Sequence, residues 1–140
     1  MTRLTRRYQF CAAHRLHTPA LSADKNRELY GKCNNPWGHG HNYRVEISVT
    51  GAVNPDSGQL VSVNALDKLV QQTVLGDFDH SDLNREIAAF GSGLVPTSEN
   101  VAVEIQRRLA AAWPETFPRL ASVRLWETKR NIFELTNEKQ

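Results

Sequence analysis

Two stretches of this chain alternate apolar and polar residues with a period of two, which leaves them few choices of local structure. In the first, Leu4, Tyr8, Phe10, Ala12 and His14 share one parity. In the second, Tyr43, Val45, Ile47 and Val49 face one way and Arg44, Glu46 and Ser48 the other. Side chains of a strand point alternately to its two faces, so both stretches read as half-buried strands. His14 closes the first one on its apolar side. Ahead of the second runs Gly31-Lys32-Cys33-Asn34-Asn35-Pro36-Trp37-Gly38-His39-Gly40-His41-Asn42-Tyr43, with a thiol six residues before a His-Gly-His pair. In extended backbone His39 and His41 aim their imidazoles at one point, and His14 supplies a third from a strand end. Imidazole suits zinc, and three protein ligands leave a position open for water or substrate. Asn-Pro and Trp-Gly provide turn chemistry that can fold Cys33 back over that position. With Cys33 as fourth ligand the same set would instead be a closed structural zinc module, and the thiolate–zinc distance separates the two readings.

The rest of the chain adds helices. Residues 17–38 read as a long connection that carries the thiol. Asn54-Pro55-Asp56-Ser57-Gly58 is a turn, and Gln59 to Val63 continues extended. Asn64 can cap a helix over roughly 65–75, with Leu66, Leu69, Val70, Thr73 and Val74 at helical spacing. A second helix starts at Thr97 or Ser98 and runs to about Trp113, with Pro114 just beyond. Two strands, Ala121 to Thr128 and Ile132 to Leu135, close the chain. The order ββααββ indicates an α+β domain, one unit spanning 1–140: an antiparallel sheet with two helices on one face.

Two polar groups in this pattern are poorly explained by structure alone. Glu127 shares the parity of Val123 and Leu125, so a carboxylate points to the apolar side, which is costly unless it is paired; the bland alternative is a wet edge strand. Asp79-His80 sets a carboxylate beside an imidazole that it can orient and make more basic.

Composition excludes several classes of function. A net charge of +2 with dispersed basic residues offers no footprint for nucleic acid. No apolar run approaches the ~20 residues of a membrane span, and Met1 to Arg7 lack the apolar core of a signal peptide. Cys11 and Cys33 are therefore expected to be reduced, in a cytoplasmic protein.

Together these pieces resemble the 6-pyruvoyl-tetrahydropterin synthase family, which includes the 6-carboxytetrahydropterin synthases of queuosine biosynthesis. The matching stretches are Phe10-Cys11-Ala12-Ala13-His14-Arg15-Leu16, Gly31-Lys32-Cys33 through His41-Asn42-Tyr43, Asp79-His80-Ser81-Asp82-Leu83-Asn84, Pro96-Thr97-Ser98-Glu99-Asn100-Val101-Ala102 and Val123-Arg124-Leu125-Trp126-Glu127-Thr128. The resemblance implies a tunnelling fold that assembles into a barrel, a homo-hexamer of two stacked trimers with active sites at subunit interfaces. It implies Zn2+ on His14, His39 and His41, Cys33 as the base, and Asp79 and His80 as its relay partners. Glu127 would anchor the pterin, Thr97 and Ser98 would help line its pocket, and 7,8-dihydroneopterin triphosphate would be the substrate. One subunit's Glu127 is expected near another's zinc. Five residues between Cys33 and His39, and Asn64, match the pyruvoyl-forming members, whereas Pro96-Thr97-Ser98-Glu99 looks more like the carboxy-forming type. The interval lies nearest the thiol, which favours the pyruvoyl product. Trp37 stands where a smaller or polar residue is expected. A pterin-binding member without activity is the remaining non-enzymatic alternative.

Overall fold

The computed structural model describes residues 1–137. Strand β1 (Thr2–His14) leads to helix α1 (Ala23–Tyr30), a 3-10 turn at Gly31–Asn34 and strand β2 (His39–Gly51). Helix α2 (Val63–Val70) runs on through a π turn at Gln71–Leu75 into α3 (Gly76–Phe78). Next come a short strand β3 (Ser81–Asp82), the helical turns α4 (Leu83–Glu86) and α5 (Ala88–Gly91), and the long helix α6 (Ser98–Ala112). Strands β4 (Arg119–Trp126) and β5 (Ile132–Thr136) end the described chain. The five strands form one sheet in the order β3-β1-β2-β4-β5.

The parity of each long strand decides which face is dry. Phe10, Tyr43, Val45, Ile47, Val123 and Leu125 are buried on one face, against Leu66, Val70 and Val74 of the α2 segment and Val101, Ile105 and Leu109 of α6. Phe10 stacks on Tyr43 with ring centroids 4.9 Å apart, and Phe78 meets Phe10 edge-on at 5.7 Å. The opposite face is polar. There Glu46 is buried between Arg7 and Arg124, and Thr5 shares a hydrogen bond with Ser48. Two long helices on one face of an α+β sheet agree with the sequence reading.

Three local expectations need correction. The connection over residues 17–38 is not structureless, because Ser22 caps α1 by accepting from the Lys25 N–H. That helix is mostly polar and shows no apolar stripe; it is held by the buried Asn26. The Asn26 amide donates to the carbonyls of Thr18, Leu21 and Ser22, and its Oδ1 accepts from the Thr18 N–H. Helix α2 begins at Val63 with Ser62, not Asn64, as its cap, and the run expected to continue extended from Gln59 forms no strand. The sheet is not wholly antiparallel, since β3 pairs parallel to β1 through Ala12 and Ala13. No helix among the described residues is long and apolar enough to cross a membrane.

Candidate metal centre

Strand register brings the histidines together. β1 and β2 pair antiparallel without a break, which sets His14 opposite His39 and Ala12 opposite His41. Directly opposed residues project to the same face, and the small Ala12 leaves room there for the imidazole beside it. The turn into β2 depends on Gly38. Its φ of 71° lies in the left-handed region, and a Cβ on it would stand 2.8 Å from the His14 carbonyl oxygen. The Gly38 N–H donates to the Asn35 carbonyl at 2.8 Å, closing the turn. Only glycine lets the chain lie this close to the end of β1. Ring centroids then fall 4.8 Å apart for His14 and His41 and 4.4 Å apart for His39 and His41.

The hydrogen bonds around the rings decide which nitrogens are free. His14 Nδ1 lies 2.8 Å from the Pro96 carbonyl, which can only accept, so that nitrogen carries the proton. Its Nε2 therefore presents a lone pair, 3.1 Å from Nε2 of His41. The Tyr43 hydroxyl, 3.2 Å from Nδ1, adds a second polar contact to the buried ring. Burial pushes His14 and His41 below the usual imidazole range, which favours the neutral, ligating form. Ligand atoms from His14, Cys33, His39 and His41 all lie within 4.8 Å of one another. Three nitrogens and a sulfur converging this closely, one ring oriented by a backbone carbonyl, make a donor set that fits zinc.

The thiol sits against this cluster, with Cys33 Sγ 3.0 Å from His39 Nε2. It is carried by the 3-10 turn, whose buried Asn34 donates to the Leu16 carbonyl and touches His17 Nδ1. Cys33 O in turn accepts from the Leu16 N–H at 2.7 Å. Burial, and then the Glu127 carboxylate, raise the thiol above its ordinary pKa.

Glu127 belongs to the same site, which corrects the expectation that it would serve another subunit's zinc. Pairing of Arg44 with Trp126 places the residue after β4 beside the start of β2. Glu127 Oε1 is 3.3 Å from His41 Nε2, and its other oxygen accepts from the buried Ser98 hydroxyl. Thr97 instead starts the helix, its hydroxyl accepting from the Asn100 N–H as the cap of α6. A cavity of about 430 Å³ opens beside Glu127, lined also by Tyr43, Arg44 and Trp126.

Asp79 and His80 lie elsewhere. Asp79 accepts from the Cys11 N–H, and the His80 N–H donates to the Cys11 carbonyl, so both are pinned to the outer edge of β1. Their side chains meet at 3.1 Å (His80 Nδ1 to Asp79 Oδ2) and the imidazole is largely exposed. Within one chain they make no contact with Cys33. Sequence reasoning missed Tyr43 and Pro96 as groups that orient His14. Tyr43 was legible only as a core residue, and no sequence signal marks a carbonyl that receives an imidazole proton.

Comparison with known proteins agrees with this geometry. Residues 3–138 match the family model described as 6-pyruvoyl tetrahydropterin synthase. The 6-pyruvoyl tetrahydrobiopterin synthase of Poecilia reticulata is 41% identical over 129 residues, covering 92% of this chain and 86% of that protein. The Homo sapiens protein of the same name is 39% identical over 129 residues, covering 92% and 87%. The solved structure of Caenorhabditis elegans 6-pyruvoyl tetrahydropterin synthase superposes with a TM-score of 0.87 at 36% identity, covering 98% of this chain and 96% of that one.

Proposed function

The chain belongs to the 6-pyruvoyl tetrahydropterin synthase family, and from that premise we propose that it is a zinc-dependent carbon–oxygen lyase. Its substrate is 7,8-dihydroneopterin triphosphate and its products are 6-pyruvoyl-tetrahydropterin and triphosphate. The observation that carries this reading is the convergence of three imidazoles, one thiol and a half-buried carboxylate at one end of the sheet. His14, His39 and His41 would hold the zinc, which supplies Lewis acidity toward the hydroxyls of the substrate side chain.

The chain's own residues do the rest. Glu127 accepts hydrogen bonds from the pterin's amino and ring N–H groups, with Ser98 holding the carboxylate in place. Cys33 takes a proton from the substrate side chain. Burial and Glu127 hold this thiol up, so its deprotonation near neutral pH calls for a neighbouring cation. Triphosphate leaves with the electron pair of its carbon–oxygen bond. The electrons that the side chain gives up reduce the ring, so no separate redox cofactor is required. The interval of five residues between Cys33 and His39, together with relatives named as pyruvoyl-forming enzymes, supports the pyruvoyl product over the carboxy one.

Asp79 and His80 would complete the site from a neighbouring copy. Both ends of the sheet are open, at the two-residue β3 and at β5, and edge strands of this kind invite pairing with another chain. A homo-hexamer of two stacked trimers would bury those edges and bring the Asp79–His80 pair to another subunit's Cys33. The decisive experiment is incubation of the zinc-loaded protein with 7,8-dihydroneopterin triphosphate, followed by mass spectrometry. 6-Pyruvoyl-tetrahydropterin is the expected product. The 6-carboxy product would reassign the chain within its family, and absence of turnover would overturn the enzymatic reading.

A further inference from the structure

The turn between Cys33 and His39 carries a large side chain that the metal centre does not use. Trp37 leaves its indole 90% exposed, although the backbone beneath it is fixed. Pro36 precedes it, its own N–H donates to Asn35 Oδ1 at 3.2 Å, and Gly38 closes the turn against the His14 carbonyl. Trp37 lines a cavity of about 410 Å³ together with Ala13 and Arg15 from the end of β1 and Asp82, Asn84 and Arg85. Asp82 belongs to β3, which pairs with the outer edge of β1 close to Asp79 and His80. The cavity thus ties the thiol loop to the open sheet edge that carries the Asp79–His80 pair. It is formed in advance, because Asn84 brackets the Arg15 backbone N–H and carbonyl. Its lining carries both signs of charge, Asp82 pairing loosely with Arg85 at 3.7 Å. A free anion would meet the Asp82 carboxylate and a metal ion the guanidiniums, whereas a polypeptide brings groups of both signs around an apolar centre.

We infer that this cavity receives a second copy of the chain and that Trp37 is the anchor of that contact. The inference rests on the shared-site reading above and adds what holds the copies in register. Asp79 and His80 do not reach Cys33 within one chain, so the copy that delivers them has to seat against the loop that carries the thiol. Trp37 lies four residues beyond Cys33 and is the large apolar side chain that this loop exposes. Tryptophan is among the residues most enriched at the energetic centres of protein interfaces. Burying its ring covers about 150–250 Å², roughly a quarter of the ~800 Å² per partner in a stable interface, and the open strand edges can supply the rest.

The test follows subunit exchange between isotope-labelled and unlabelled protein by native mass spectrometry, for wild type, Trp37→Ala and Trp37→Phe. The indole is exposed in the single chain, so neither substitution disturbs the fold. The wild type should be an oligomer whose subunits exchange slowly. Trp37→Ala should exchange at least about tenfold faster, and Trp37→Phe, which keeps an aromatic ring, should stay within about threefold of wild type. Neopterin affinity, measured by calorimetry at a concentration that keeps each variant assembled, should match wild type within about twofold. Exchange as slow in Trp37→Ala as in wild type would overturn the anchor alone. Unchanged exchange together with lost neopterin affinity would also overturn it and assign Trp37 to the substrate pocket. A monomeric wild type would overturn the shared-site reading beneath it.

Discussion

Replacing Gly38 by alanine tests how the site is assembled, because it attacks the turn and none of the ligands. The left-handed φ of 71° costs an L-residue about 1–2 kcal/mol. The new Cβ would also stand 2.8 Å from a backbone carbonyl oxygen, where no flexible side chain can yield. Overpacking against a rigid neighbour costs a further ~1–3 kcal/mol. Loss of unfolded-chain entropy returns about 0.4–1 kcal/mol. The net expectation is a destabilisation of about 2–4 kcal/mol, or a Tm lower by about 3 °C per kcal/mol. Gly58 is the matched control: its φ is 72° but nothing lies within 4 Å of an added Cβ. Gly58→Ala should therefore cost only about 1 kcal/mol. Urea denaturation of the metal-free proteins gives both values. Because the strain falls where β2 meets His14, Gly38→Ala should also lower zinc affinity about tenfold or more in a chelator competition, and Gly58→Ala should not. Equal stability of the two variants with unchanged zinc affinity would refute the argument that close approach at Gly38 sets His39 opposite His14.

Other outcomes follow from the same geometry. His39→Ala should lose most of its zinc by metal analysis, whereas Cys33→Ala should keep zinc and lose product formation; loss of zinc with the thiol would support the closed structural site. In metal-free protein the Cys33 alkylation rate should rise with pH at a midpoint above that of a free thiol, and Glu127→Gln should move that midpoint down, since the carboxylate is the second cause of the shift after burial. Glu127→Gln should also weaken neopterin binding by ~1–3 kcal/mol with little change in Tm, because pterin N–H groups would face an amide donor. Arg107 and then Arg108 hold the Glu104 carboxyl below the usual carboxylate range. Its stabilisation is thus complete above the unfolded value of about 4.3 and is lost as pH falls through the folded one. Urea midpoints of wild type and Glu104→Gln should converge on acidification, and a gap that is independent of pH would contradict this. Finally, light scattering should show a hexamer, and mixing Cys33→Ala with His80→Ala protein should restore part of the activity; a fully active monomer would rule out shared sites.

The sequence by itself determined the parts of this protein that repeat with a period. Alternation named β1 and β2, their dry faces and the common direction of His14, His39 and His41, because side-chain direction in a strand follows from residue number alone. Helical spacing marked the two long helices on one face for the same reason. The parity of Glu127 announced a carboxylate on the dry side before any partner for it was visible. Tertiary structure decided what those directions meet. Only the pairing of β2 with β4 brings Glu127 to His41 in the same chain, across a gap of 86 residues in sequence that no local pattern spans. Only packing of the 96–98 turn on the sheet hands a carbonyl to His14 and a hydroxyl to Glu127. Helix α1 was hidden because it is ordered by one buried amide and shows no apolar stripe. The Asp79–His80 pair was legible as a carboxylate beside an imidazole, but its place on the outer edge of β1 is set by backbone hydrogen bonds to Cys11 that no sequence pattern marks. Chemical identity is written residue by residue, but adjacency is set by long-range pairing, and so the ligands could be read along the chain while their surroundings could not.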